Sequence, residues 1–305
     1  MTPDKPTETV FHIDAWLPQE MAERAENIGV KKAALDWASM LALGVLAGAF
    51  IALGAVFATV AMASPLPYAA NRLLGGLAFC LGLILVIVGG AELFTGDNLI
   101  VMAWANSKVS TWQMLRCWTI VYLGNLIGSV ATAAIVFMGK QYAFGGGAIG
   151  KNALAIAQAK CSLGFVQAMA LGVICNALVC MAVWLCFSAR STTDKVVSII
   201  FPIAAFVAAG FEHSVANMYF IPAGMLIKSF AASAFWSAIH DSASSYAALT
   251  WFGMLRNLVA VTLGNIFGGS VLVGLMYWFI YLRNSRAAAA VKQPHPVVTQ
   301  ISARN

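Results

Sequence analysis

The sequence predicts an all-α membrane protein: six transmembrane helices in two inverted halves, with the second and fifth helices broken. Three observations predict it. The 305 residues are 61% hydrophobic and 10% charged, where a soluble domain carries about 25% charged residues. Six apolar stretches approach the roughly 20 residues that a bilayer-spanning helix requires. A polar pattern, Gly-x-Glu-x4-Asp/Asn, is written twice inside such stretches, as Gly90, Glu92, Asp97 and again as Gly210, Glu212, Asn217, with starts 120 residues apart. A carboxylate in hydrocarbon is costly, so two matched ones indicate a purpose. Paired interruptions in corresponding segments of two halves point to a membrane transport site.

Residues 1–36 are polar and mixed in charge, with no short apolar core before a cleavage site, so no signal peptide is expected. Within them, Phe11, Ala15, Trp16, Met21, Ala22, Ala25 and Ile28 stand at helical spacing between Thr7 and Ile28. That is an amphipathic helix expected on the membrane or on a neighbouring subunit. The transmembrane domain runs over 37–283, with halves at 37–138 and 163–283. Its spans are expected at Trp37 to Ala63, Leu73 to Trp104, Leu115 to Met138, Leu163 to Phe187, Val196 to Ile227 and Leu255 to Tyr281. The second and fifth are too long for one straight helix. Breaks at Glu92–Asp97 and Gly210–Asn217 divide each into half-helices, and non-helical backbone at that depth must line a cavity or be buried in protein. The tail, 284–305, holds Pro294 and Pro296 among Ala, Val and polar residues and is expected to be disordered and cytoplasmic.

Charge sets the orientation. With the N-terminus inside, twelve Lys and Arg fall on the cytoplasmic side and six (Arg72, Lys140, Lys151, Lys160, Lys228 and Arg256) on the other. The positive-inside rule then places both termini in the cytoplasm. The net charge of +6 therefore needs no nucleic acid to explain it.

The halves match in order. Leu43-Gly44-Val45 echoes Leu171-Gly172-Val173, the two breaks echo each other, and Leu123-Gly124-Asn125 echoes Leu263-Gly264-Asn265. Three spans per half is an odd number, so the second half is inverted and a site is expected near the midplane. Gly44 and Gly48, and Gly268 and Gly269, allow close helix approach. Six cysteines include no Cys-x-x-Cys pair and no nearby His at metal spacing, so no metal or cofactor is expected. Five lie in apolar stretches, as small buried hydrophobes do, and Cys161 falls in a loop.

His213, in the fifth-span break, is the strongest single candidate. It either meets an anion or exchanges a proton there, or it is a neutral His satisfied by backbone. Glu92 and Glu212 face a similar choice, and the repeat favours a structural role at the half-helix ends over the conduction path. Asp97 is expected to cap the second half-helix of its span, and Asn217 is its counterpart. Thr95 bonds either a passing solute or a carbonyl. Lys160, before the fourth span, either concentrates anions at a pore mouth or snorkels to water. Asn176, mid-span, needs a partner on another helix or in a lumen. Phe79 and Leu83 share a helix face, and Phe206 stands seven residues before His213. By spacing, all three read as packing residues.

At these residues a family resemblance appears. Gly210-Phe211-Glu212-His213-Ser214-Val215-Ala216-Asn217-Met218, followed by Ile221-Pro222, resembles a signature of the formate/nitrite transporter family. Glu92-Leu93-Phe94-Thr95 resembles the other signature, and the Leu-Gly-Asn stretches fit as well. The resemblance spans about residues 15–285. It implies an aquaporin-like fold in the lipid of a bacterial inner membrane, assembled as a homopentamer with one pore per protomer. It places the pore at His213, Thr95, Asn176 and Lys160. It places two apolar constrictions at Phe79, Leu83, Leu93 and Phe206, with Phe94 beside Leu93. The permeant it implies is a small monovalent anion. The Phe211-Glu212-His213-Ser214-Val215-Ala216-Asn217-Met218 stretch and Ile221-Pro222 look more like the formate branch, whereas Glu92-Leu93-Phe94-Thr95-Gly96 looks closer to the nitrite branch, and formate is the expected permeant. Hydrosulfide and other short carboxylates are the further alternatives.

An intramembrane enzyme is disfavoured. No His-Glu-x-x-His or Gly-x-Ser-x-Gly occurs, and His12, His240 and His295 lie outside the spans. A non-transporting scaffold needs no paired breaks, and a water channel of this fold would carry Asn-Pro-Ala motifs, which are absent.

Overall fold

A computed structural model describes residues 14–284, all helix and connection, with no strand among the described residues. Six spans cross the apolar layer. In the first half they are α2 (Trp37–Ala61), α3 (Tyr68–Gly89) resuming after a break as α4 (Phe94–Asp97) and α5 (Val101–Ala105), and α6 (Thr111–Met138). In the second half they are α8 (Phe165–Ser188), α9 (Thr192–Ala209) resuming as α10 (Ser214–Phe230), and α12 (Trp251–Ile266), which runs on to Leu282 largely as π-helix. A helix precedes each half: α1 (Pro18–Ala33) and α7 (Ala148–Ser162). Past α10 the chain bends by 108° into α11 (Ser233–Ile239).

The helix starts are written locally. Asp36 accepts the Ala38 and Ser39 amides at 3.0 Å to open α2. Its hydrogen bonds from Ser39 hold its carboxyl below the usual carboxylate range. Ser110 with Gln113, and Ser191 with Asp194, form capping boxes opening α6 and α9. Small residues then let spans touch backbone to backbone. A Cβ on Gly128 would lie 2.0 Å from the Val45 carbonyl, and one on Gly268 would lie 2.0 Å from the Val173 carbonyl. These two contacts are equivalent in the two halves and fix the α2–α6 and α8–π-helix crossings.

Four sequence expectations are corrected. The amphipathic helix runs from Pro18 to Ala33 and lies on its own bundle, where Met21, Ala22 and Ala25 pack with Met102, Trp184 and Leu282. Its expected start at residues 7–13 falls outside the described residues, as does the tail from 285. Trp16 precedes the helix, and the guanidinium groups of Arg24 and Arg190 lie 5.0 and 3.7 Å from its ring. Cys161 is not in a loop: it is buried in the last turn of α7. Each break is also short, four residues at 90–93 and 210–213, because helix resumes at Phe94 and at Ser214.

Candidate functional site

Both breaks begin with a glycine in the left-handed region, Gly90 at φ 80° and Gly210 at φ 79°. A side chain is strained there, so glycine ends α3 and α9 sharply. The amides and carbonyls that each break frees are then claimed by one asparagine from the third span of the same half. Asn125 Oδ1 accepts the Phe94 amide at 2.9 Å, and its Nδ2 donates to the carbonyls of Gly44 (2.8 Å) and Glu92 (3.0 Å). Asn265 does the same for the Ser214 amide at 2.9 Å and the carbonyls of Gly172 (2.8 Å) and Glu212 (3.0 Å). The Glu92 and Glu212 amides in turn donate to Leu43 and Leu171.

Each glutamate meets a lysine from the helix preceding its half. Lys160 Nζ donates to Glu212 Oε1 at 2.8 Å, and Glu212 Oε2 accepts Asn217 Nδ2 at 2.7 Å. Lys32 Nζ donates to Glu92 Oε2 and to Asp97 Oδ1, both at 2.7 Å. Burial of Lys32 works against its charge, yet Asp97 and then Glu92 hold its pKa above the ordinary lysine value. Asp97 therefore does not cap its half-helix. It lies at the end of α4, its carboxylate faces Lys32, and Leu93 occupies the cap position without a side-chain bond. Nor do the glutamates cap. In the second half the cap is His213, whose Nδ1 accepts the Ala216 amide at 3.0 Å.

That bond settles the histidine's tautomer. A backbone N–H can only donate, so Nδ1 presents its lone pair and the ring proton sits on Nε2. Nε2 lies 3.0 Å from Thr95 Oγ1, so His213 donates to Thr95 across the two breaks. The threonine hydroxyl proton is left to donate elsewhere. His213 is 3% exposed and Thr95 is fully buried. Taking a second proton on Nδ1 would cost His213 its cap.

Two cavities flank this bond and share no lining residue. One, about 240 Å³, is lined by Lys32, Glu92, Leu83 and Leu93, with Arg24 and Lys195. The other, about 390 Å³, is lined by Lys160, Glu212, His213, Phe79 and Phe206, with Arg72. Leu83 and Phe79 are adjacent on one face of α3 but belong to opposite cavities. The layer between the cavities is thus about one helical turn thick, roughly 5–6 Å. Phe206 meets Phe79 edge-on at 5.6 Å and lies over the His213 ring at 5.8 Å. Lys160 sits 5.4 Å above the Phe220 ring. Phe94 stands apart from the other four apolar residues: it packs edge-on against Tyr122 at 4.9 Å and lines neither cavity.

Thr95, buried between the cavities, lines neither of them, and nor does Asn176. The Asn176 Nδ2 donates to the Thr95 carbonyl (3.2 Å), Asn98 Oδ1 (3.1 Å) and the Asn265 carbonyl (2.7 Å), so it ties the half-helix after the first break to the asparagine that braces the second. Sequence reasoning missed Lys32, which it counted only as charge. The signal was present: Lys32 and Lys160 are 128 residues apart, the same offset as Leu43 and Leu171. It also missed Asn257, which donates to the Lys160 carbonyl at 2.9 Å and accepts Asn217 Nδ2 at 2.8 Å.

Comparison with known proteins identifies the family and the fold. A family model described as formate/nitrite transporter matches residues 19–279. The chain is 41% identical over 275 residues to the formate channel FocA of Escherichia coli strain K12, covering 89% of this chain and 96% of the relative. It is 39% identical over 269 residues to the FocA of Haemophilus influenzae, covering 87% and 95%. Among solved structures, a pentameric formate channel with formate bound superposes with a TM-score of 0.77 at 48% identity, covering 81% of this chain and 98% of that one.

Proposed function

The chain belongs to the formate/nitrite transporter family, and from that premise we propose that it conducts formate through a pore in each protomer of a homopentamer. The observation that carries the reading is the pair of lysine-lined cavities facing each other across a one-turn apolar layer, with the Thr95–His213 bond between them. Formate channels among the relatives support the choice of permeant. By its charge distribution the Lys32 cavity opens to the cytoplasm, with both termini on that side of a bacterial inner membrane.

The mechanism follows from the residues. Positive charge in each vestibule gathers a small anion. The layer of Phe79, Leu83, Leu93 and Phe206 resists a bare charge, because burying one unpaired costs many kcal/mol. The permeant crosses as the neutral acid or with its charge met by donors. Thr95 supplies such a donor, since His213 occupies its acceptor side and frees its hydroxyl proton. His213 orients Thr95. It relays a proton only by releasing the Ala216 amide. No bond of the permeant is made or broken beyond that protonation, so the protein transports rather than converts.

The test is uptake into proteoliposomes, formate against nitrite, between about pH 5 and pH 8, where an imidazole and a weak acid change charge. Faster formate uptake is expected. Preferred nitrite uptake would keep the pore and move the chain to the other branch, and flux of neither would remove the reading.

A further inference from the structure

The Lys160 cavity holds two cations, and only one is matched. Lys160 is offset by Glu212 at 2.8 Å. Arg72, on the first turns of α3, lines the same cavity, and no ion pair to it forms among the described residues. Its partners are neutral. Nε donates to the Ala208 carbonyl at 3.2 Å and Nη2 donates to the Val207 carbonyl, both at the C-terminal end of α9. A guanidinium at a helix C-terminus is favourably placed against the helix dipole and keeps its full charge.

We infer that Arg72, which has no carboxylate partner, rather than Lys160, which has one, supplies the positive charge that concentrates monovalent anions in this vestibule. The inference rests on the transport reading above. Glu212 commits Lys160 to holding the break, together with Asn217 and Asn257. After its two carbonyl bonds and a weak contact from Nη1 to the Met62 sulfur at 3.9 Å, Arg72 still leaves N–H groups for the cavity, because guanidinium carries five. Its charge acts over a Debye length of about 8 Å at physiological ionic strength, so the effect must fade with salt. Arg72 also holds the end of α9, two residues before Gly210, which makes it a positioning residue as well. The two roles predict different salt behaviour.

The experiment measures initial formate uptake by proteoliposomes of the full chain, from about 10 to about 300 mM of an impermeant salt. Three forms are compared: wild type, Arg72→Gln and Arg72→Lys. Arg72→Gln is expected to lose about fivefold of low-salt uptake and most of the salt dependence, with the half-saturating concentration raised and the maximal rate kept. Arg72→Lys keeps the salt dependence. Arg72→Met, of similar length and without charge, gives the same reading if the glutamine variant does not assemble. Uptake reduced equally at every salt concentration in all variants assigns Arg72 to the helix end alone and overturns the inference. Wild-type vesicles that carry neither formate nor nitrite remove the transport reading, and the inference with it. Wild-type flux with an unchanged slope in Arg72→Gln removes the inference only.

Discussion

Lys32 and Lys160 occupy the same position in the two halves: each reaches from the helix before its half's first span to the glutamate of that half's break, at 2.7 and 2.8 Å. The glutamate carbonyl and amide are fixed by the span-three asparagine and the span-one backbone. The lysines thus complete a brace around each break, and the vestibule is the space the brace encloses.

Removing one member of that brace should cost more than removing both. Lys160→Met leaves Glu212, 4% exposed, with amide donors only. A loss of about 3 kcal/mol is expected, as for a broken buried pair. Adding Glu212→Gln should restore most of it. Thermal unfolding of the detergent-solubilised protein reads both, and a double variant no more stable than the single would show that the charge of Glu212 is not the cause.

The Thr95–His213 bond should govern rate rather than stability. Thr95→Val removes both the acceptor of His213 and the free hydroxyl proton. One hydrogen bond of about 1 kcal/mol corresponds to a flux lowered about fivefold. His213→Asn should lower flux similarly while keeping the fold, because asparagine is itself a good N-cap. Unaltered uptake in either variant removes the bond from the pathway.

Gly90→Ala tests the break without touching packing, since an added Cβ meets nothing within 4 Å. The cost is that of left-handed backbone alone, about 1–2 kcal/mol. Asparagine at the same position should cost less than alanine, and valine more. A lower melting temperature in that order is the expected result.

The raised pKa of Lys32 has a fixed sign in its pH dependence. A lysine whose folded pKa lies above its unfolded value of about 10.4 contributes stability that is complete below that value and lost only at higher pH. The melting difference between wild type and Lys32→Met should therefore stay constant from about pH 7 to pH 10. A difference that shrinks within this window would mean that Asp97 and Glu92 do not outweigh burial.

Much of the site was legible because it repeats. The glycine-led breaks, Asn125 with Asn265 and the spans themselves follow from composition and spacing. Lys32 was not legible as a site residue, because it lies in a polar segment where charge needs no explanation and only the fold brings it to Glu92. Arg72 was hidden for the same reason. Asp97 was misjudged because a short break was read as a long one, which moved the cap position by several residues. Phe94 was grouped with Leu93, yet Leu93 is the extended cap residue and Phe94 the first residue of α4, and only Leu93 lines the cavity.

The asparagine braces carry one more consequence. A half-helix N-terminus buried in a membrane is an anion trap when its leading amide is vacant. Here the leading amides of α4 and α10 already have acceptors in Asn125 and Asn265, and the Ala216 amide has His213. A visiting anion feels the dipoles but finds these three amides already bonded, so they are not free to hold it.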